Sequence, residues 1–221
     1  YSKIAGGGVF HRRRRFVAVV IRRKLRHGCQ TQTPNVMLFI FRNPKTVLFL
    51  IVQGLKKRLA NHGDKITLLS CDNLQGNGHI LQKMVGQIID MIAPEIKDWV
   101  AENVTFPNSM VDRITPRATD ILRHEVEELY PGFGHTAVQT EEYTQWVIED
   151  NFASDFPDLS KVGVVITKNI EPYEETKIRI LNGGHTSLAY LGALSGYETF
   201  DQVMKDEGHR RHFRKLQNDE I

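Results

Sequence analysis

A lysine, a carboxamide and an imidazole, Lys177, Asn182 and His185, fall within nine residues in the run Lys-Ile-Arg-Ile-Leu-Asn-Gly-Gly-His. A lysine that gives up its proton is a general base, and an amide N–H stabilises a developing oxyanion without titrating. At about 100° per residue, Asn182 and His185 share a helix face, and Lys177 lies two turns earlier and roughly 80° from His185. A pocket at the start of this helix would collect all three. The same residues also fit an apolar seam of Leu181, His185, Leu188 and Leu191, with His185 in the core and Lys177 snorkelling. Spacing alone leaves both readings open. Gly183-Gly184 predicts a kink or a close approach, because a mid-helix glycine costs about 1 kcal/mol relative to alanine.

The elements that would position such a group are legible upstream. Pro44 opens a predicted helix to Ala60, which stops at Asn61-His62-Gly63. Lys65–Cys71 reads as a buried strand and Ile80–Ile92 as a helix ending near Pro94, followed by a short strand, Val104–Phe106. Thr119–Leu129 is an acidic, solvent-facing helix, and Thr144–Ile148 and Val162–Thr167 are strand-like. The loop Asn151–Asp158 carries two phenylalanines expected to be exposed, and Phe200–Ile221 is a polar helical tail. Helix and strand alternate through residues 43–170. The expected fold class is therefore α/β, a mainly parallel sheet covered by helices on both faces.

Ligands of open α/β sheets bind at the carboxyl ends of strands. Asp72-Asn73-Leu74-Gln75-Gly76-Asn77-Gly78 follows the buried strand directly, which makes Asn73 a second candidate. The alternative is that Asp72 and Asn73 cap the next helix. Asp112, in Pro107-Asn108-Ser109-Met110-Val111-Asp112-Arg113-Ile114-Thr115-Pro116, either pairs with Arg113 or presents a carboxylate to a polar ligand. At the N-terminus, Gly6-Gly7-Gly8-Val9-Phe10 is either a flexible linker or a backbone turn able to approach a pyrophosphate.

Charge is uneven: residues 1–42 hold ten Lys/Arg and no acid, and residues 43–221 hold nineteen Lys/Arg against twenty-six Asp/Glu. The basic run Arg12–Arg15 with Arg22, Arg23, Lys24 and Arg26 lacks interleaved aromatics and any binding module. Sequence-specific nucleic-acid recognition is therefore not expected. An Arg-rich, acid-free start is also the composition of an organellar import arm. Two cysteines, Cys29 and Cys71, without metal-ligand spacing, fit a reducing compartment, so the expected location is the cytoplasm and no metal site is expected. The longest apolar runs, Val36–Phe41 and Val47–Val52, fall far short of the roughly 20 residues of a membrane span.

Taken together, Ser70–Gly78, Phe106–Pro116 and the Lys177, Asn182, His185 triplet resemble the long-chain polyol dehydrogenases, the mannitol 2-dehydrogenase family. That family includes fructuronate and tagaturonate reductases and arabinitol dehydrogenases. The resemblance runs from Asn43 to the end of the chain. It implies a Rossmann-type domain over 43–176, the start of a helical substrate domain over 177–221, and an atypical basic segment over 1–42. It implies a metal-independent interconversion of a polyol and a ketose with NAD, or NADP, as cofactor. By resemblance Lys177 is the general base, and Asn182 and Asn73 donate to the substrate oxygen. His185 positions hydroxyls, Asp112 binds substrate, Glu174 exchanges the lysine's proton, and Gly6, Gly8 and Phe10 contact the cofactor. Family members are longer, so the chain reads as incomplete relative to them. A hexuronate reductase is one alternative, and an inactive remnant that binds nucleic acid or acidic partners through its basic arm is another.

Overall fold

The computed structural model describes residues 16–19 and 46–219. The glycine turn with Gly6, Gly8 and Phe10, and most of the basic segment, lie outside the described residues. The chain forms two compact units, Tyr1–Lys168 and Asn169–Ile221.

The first unit is built around a strand buried on both faces. Strand β2, Ile66–Ser70, follows β1, Phe16–Val19, and α1, Val47–Ala60. Every residue of β2 is buried, and alternate side chains enter different cores. Ile66 and Leu68 pack with Val52 and Leu55 of α1 and with Leu81, Val85 and Ile88 of α2, Asn77–Ile92. Leu69 packs against Ile148 and Val164 in a second cluster. A strand buried on both faces shows no apolar/polar alternation, and its two hydroxyls are satisfied: Thr67 Oγ1 accepts the Ala153 N–H and Ser70 Oγ accepts the Asp72 N–H.

β1 pairs parallel to β2, with Phe16 opposite Thr67, and β2 pairs parallel to β3, Val104–Thr105, which follows α3, Lys97–Asn103. A second three-stranded sheet runs in the order β4, β5, β6: Ser109–Asp112, Gln145–Glu149 and Val165–Thr167. Here β4 is antiparallel to β5, and β6 is parallel to it. The unit has the Rossmann-type α/β character expected from sequence, with one antiparallel pairing among mainly parallel strands. β1 was not anticipated, because its few apolar residues sit inside a basic run.

Local expectations are corrected in several places. Helix α2 begins three residues earlier than expected, and neither Asp72 nor Asn73 caps it: its N-cap is Gly76, in the left-handed region at φ 63°. Val162 ends a single turn of 3-10 helix, and Gly163 at φ 86° separates that turn from β6, so Val162–Thr167 is not one strand. Phe152 and Phe156 are half-buried rather than exposed, stacked with ring centroids 3.6 Å apart. Helix α4, Asp120–Leu129, is capped by Thr119 and buries none of its residues.

The second unit is helical. Helix α5, Glu171–Thr176, runs into a π-helical segment, Lys177–Gly183, and then into α6, Gly184–Leu194. The expected single tail is two helices, α7, Phe200–Lys205, and α8, Glu207–Asp219, because Asp206 at ψ 122° leaves the helical region and opens a new N-terminus. Gly183 and Gly184 do not kink the chain; both keep helical dihedrals. Gly184 is there for approach, since a Cβ on it would lie 2.8 Å from the Phe213 ring. Gly184, Leu188 and Gly192, four apart, form the buried stripe of α6.

Among the described residues, no helix is long and apolar enough to cross a membrane, and no group of three or more His, Cys, Asp or Glu is arranged to hold a metal ion.

Candidate active site

In the second unit, the residues singled out by type cluster on one irregular stretch. Glu174, on α5, is only 4% exposed, and Lys177, one turn later, is 8% exposed. Acidic and basic side chains are rarely buried to this degree unless paired, and neither is without a partner here. Both sit where the hydrogen-bond ladder changes from α to π. A π turn bonds i to i+5, so residues five apart come nearly into line, and such turns occur often at functional sites. Lys177 and Asn182 are five apart. Regular α geometry would place them about 140° apart; a π turn narrows that separation, although neither borders the cavity that His185 lines. This irregularity carries no residue-type marker, which is why spacing at 3.6 residues per turn missed it.

Asn182 and His185 are partly buried, and the Asn182 carbonyl accepts from the Thr186 hydroxyl at 2.9 Å. His185 stacks on Phe200 of α7, with centroids 5.2 Å apart and rings 13° from parallel. Both line a cavity of about 360 Å³ with Ile180, Leu181, Leu188 and Phe213. The imidazole thus lies on the apolar seam and also faces an open cleft. Phe200 had not been singled out, and only its distance of fifteen residues from His185, across a turn, separates it from the motif.

In the first unit, Asn73 is exposed on the bend after β2, and its N–H donates to the Asp72 carboxylate at 2.9 Å. Asp112, half-buried, ends β4 opposite Gln145 of β5. The Arg113 guanidinium reaches the Glu141 carbonyl at 3.1 Å. Cys71, beside this bend, is half-buried; burial pushes its thiol pKa up, opposed by a hydrogen bond with Ser109.

A separate polar cluster ties the corner of α6, α7 and α8. Ser195 Oγ lies 2.9 Å from His209 Nε2, and His209 Nδ1 lies 2.8 Å from Asp206 Oδ1. That is the atom order of a serine nucleophile with its base and orienting carboxylate. The N–H groups of Ser195, Gly196 and Tyr197, however, donate to the carbonyls of Leu191, Ala193 and Gly192, leaving no amide from this turn for an oxyanion. Asp206 serves the helix instead. The His209 backbone N–H, then its ring, then the Tyr197 hydroxyl hold the Asp206 carboxyl well below the usual carboxylate range. A carboxyl whose folded pKa is depressed stabilises the fold fully above the ordinary carboxylate range, and that stability is lost as pH falls through the folded value. Asp206→Asn is accordingly expected to lower stability at neutral pH and to flatten the acid limb of a circular-dichroism titration. Superimposable acid limbs would contradict this.

Comparison with known proteins places these residues in context. A family model described as mannitol dehydrogenase Rossmann domain matches residues 8–161, and one described as mannitol dehydrogenase C-terminal domain matches residues 169–221. D-mannonate oxidoreductase of Escherichia coli is 39% identical over 168 residues, which are 76% of this chain and 35% of that protein. Mannitol 2-dehydrogenase of Aspergillus fumigatus is 34% identical over 202 residues, 88% of this chain and 40% of that one. The solved ternary complex of Pseudomonas fluorescens mannitol 2-dehydrogenase with NAD and D-mannitol superimposes with a TM-score of 0.69 at 36% identity, covering 80% of this chain and 36% of that one. The chain therefore spans a little over a third of the length of the relatives it matches.

Proposed function

The chain belongs to the mannitol dehydrogenase family, and on that premise we propose that it is an NAD-dependent oxidoreductase interconverting a polyol secondary alcohol and a ketose, of the mannitol and fructose type. The observation that carries this reading is the buried Lys177 at the start of a π turn, five residues from Asn182 and one turn after the buried Glu174. The parallel β1, β2, β3 sheet, whose central strand leads into the bend that bears the exposed Asn73, is a fitting support for a dinucleotide, as in other open α/β sheets.

NAD supplies the hydride acceptor in oxidation, and its reduced form supplies the donor in the reverse direction. The chain's own groups move the proton and hold the oxygen. Lys177 takes the hydroxyl proton as the alcohol is oxidised, or returns it to the oxygen as the ketose is reduced, and Glu174 exchanges that proton onward. The Asn182 amide donates to the substrate oxygen while it carries alkoxide charge, the role that the family resemblance gives Asn73 as well; one such donor is worth roughly 3 kcal/mol. His185 orients the neighbouring hydroxyls, and Asp112 accepts from another. Partial burial of Asn182 strengthens its donation relative to a fully solvated amide. Sparse cysteine usage supports the cytoplasm as its location.

The test is NADH absorbance decay with fructose, fructuronate and tagaturonate offered separately. Decay is expected to be fastest with fructose. A preference for a hexuronate would transfer the assignment to hexuronate reduction, and no decay with any of the three in a folded sample would contradict a dehydrogenase activity of this chain.

A further inference from the structure

Asn73 lies on an exposed bend, and a bend alone does not hold an amide with the sub-ångström accuracy that oxyanion stabilisation demands. Two buried asparagines beside it hold the backbone that carries it. Asn77, 2% exposed at the start of α2, donates through Nδ2 to the Asp72 carbonyl and to the Ser109 carbonyl, each at 2.8 Å. Its Oδ1 accepts the Ser109 N–H at 2.9 Å. One carboxamide therefore pairs with Ser109 as an adjacent strand would, and with the same group grips the residue preceding Asn73.

Asn108 does the converse. Its Oδ1 accepts the N–H groups of Gly78 at 2.9 Å and His79 at 3.2 Å, satisfying two of the donors that a helix N-terminus leaves free. Its own N–H donates to the Glu149 carboxylate of β5 at 2.8 Å. The Ser109 hydroxyl closes the network on the carbonyl of Ser70, the last residue of β2. Each asparagine thus bonds the backbone of the segment that carries the other. One segment bears Asn73 and the other bears Asp112.

We propose that Asn77 and Asn108 form a reciprocal clasp that positions Asn73 relative to Asp112. They are positioning residues and touch no substrate. The roles of Asn73 and Asp112 rest on the dehydrogenase reading; the clasp rests on these hydrogen bonds.

Three variants separate positioning from bulk stability. Asn77→Asp keeps the shape but turns an oxygen towards the carbonyls of Asp72 and Ser109. Asn108→Leu removes the acceptor for Gly78 and His79, whereas Asn108→Asp keeps it and adds a charge that a helix N-terminus favours. The experiment records the side-chain amide resonances of Asn73 in the full 221-residue chain, together with kcat and KM for NADH-dependent fructose reduction. The Asn73 resonances are expected to broaden or shift in Asn77→Asp and Asn108→Leu, with kcat lowered about 100-fold and KM changed by less than about threefold. Asn108→Asp, which keeps the acceptor but sets a carboxylate near that of Glu149, is expected to fall between the parent and Asn108→Leu in both. Unmoved Asn73 resonances in Asn77→Asp, or an Asn108→Asp variant as damaged as Asn108→Leu, would overturn the clasp. A parent chain that reduces no sugar would refute the dehydrogenase reading instead, and the resonances would then decide the clasp alone.

Discussion

Lys177→Ala is expected to lower kcat for fructose reduction by about 10³-fold, within the range that a positioned general acid–base contributes. Lys177 is buried on the first residue of the π turn, so its loss also opens a gap in the packing of the second unit. Lys177→Met separates the two effects, because it fills similar volume and carries no titrating group. Both variants are expected to fail in turnover, whereas only Lys177→Ala is expected to respond to an added small primary amine that can enter the gap and serve as base. Helical circular dichroism close to that of the parent is expected for Lys177→Met. Near-normal turnover in either variant would remove Lys177 from the reaction.

Gly78→Ala is expected to destabilise the first unit by about 3 kcal/mol, at the upper end of the usual cost of overpacking. An added Cβ would overlap the backbone carbonyls of Phe106 and Pro107, which cannot swing aside as the end of a flexible side chain can. The start of α2 would have to move, and with it the amides that Asn108 holds. For a unit of this size the cost corresponds to a fall in Tm of roughly 10 °C. Gly86→Ala is the matched control in the same helix: nothing lies within 4 Å of its added Cβ. That change should leave stability unaltered or raise it by up to about 1 kcal/mol. Equal melting temperatures for the two alanine variants would contradict the close approach at Gly78.

What could be read from the residues depended on whether a local pattern carried the physics. β2 was legible because burial on both faces leaves Ile66, Leu68 and Leu69 in one short run broken only by hydroxyls. Helix α1 was legible because Asn61-His62-Gly63 stops it, although His62 rather than the glycine takes the left-handed dihedral, at φ 52°. β4 was not, because Ser109 and Asp112 make it polar and its pairing partner, β5, lies more than thirty residues away. The two helices of the C-terminal tail looked like one because the break at Asp206 is made by a capping network of Tyr197 and His209, not by proline or glycine. At the candidate site, the chemistry-bearing residues were visible by type, but the π segment that carries Lys177 and Asn182 was not. A π turn has no compositional signature, and of the kink and the close approach expected at the glycine pair it is the approach that is found, of the Phe213 ring to Gly184. Asn77 and Asn108 stood within the motifs from the outset, yet a carboxamide that mimics a strand partner looks the same in sequence as one that faces water.

The central claim is hydride transfer to the carbonyl of a ketose by this chain. Its most direct measurement is the fate of deuterium when the 221-residue chain is incubated with fructose and NADH deuterated at the transferable C4 position. A hexitol that carries the deuterium on the former carbonyl carbon is expected from the parent and not from Lys177→Met. A folded parent chain that yields no labelled hexitol, or equal labelling in the two proteins, would contradict it.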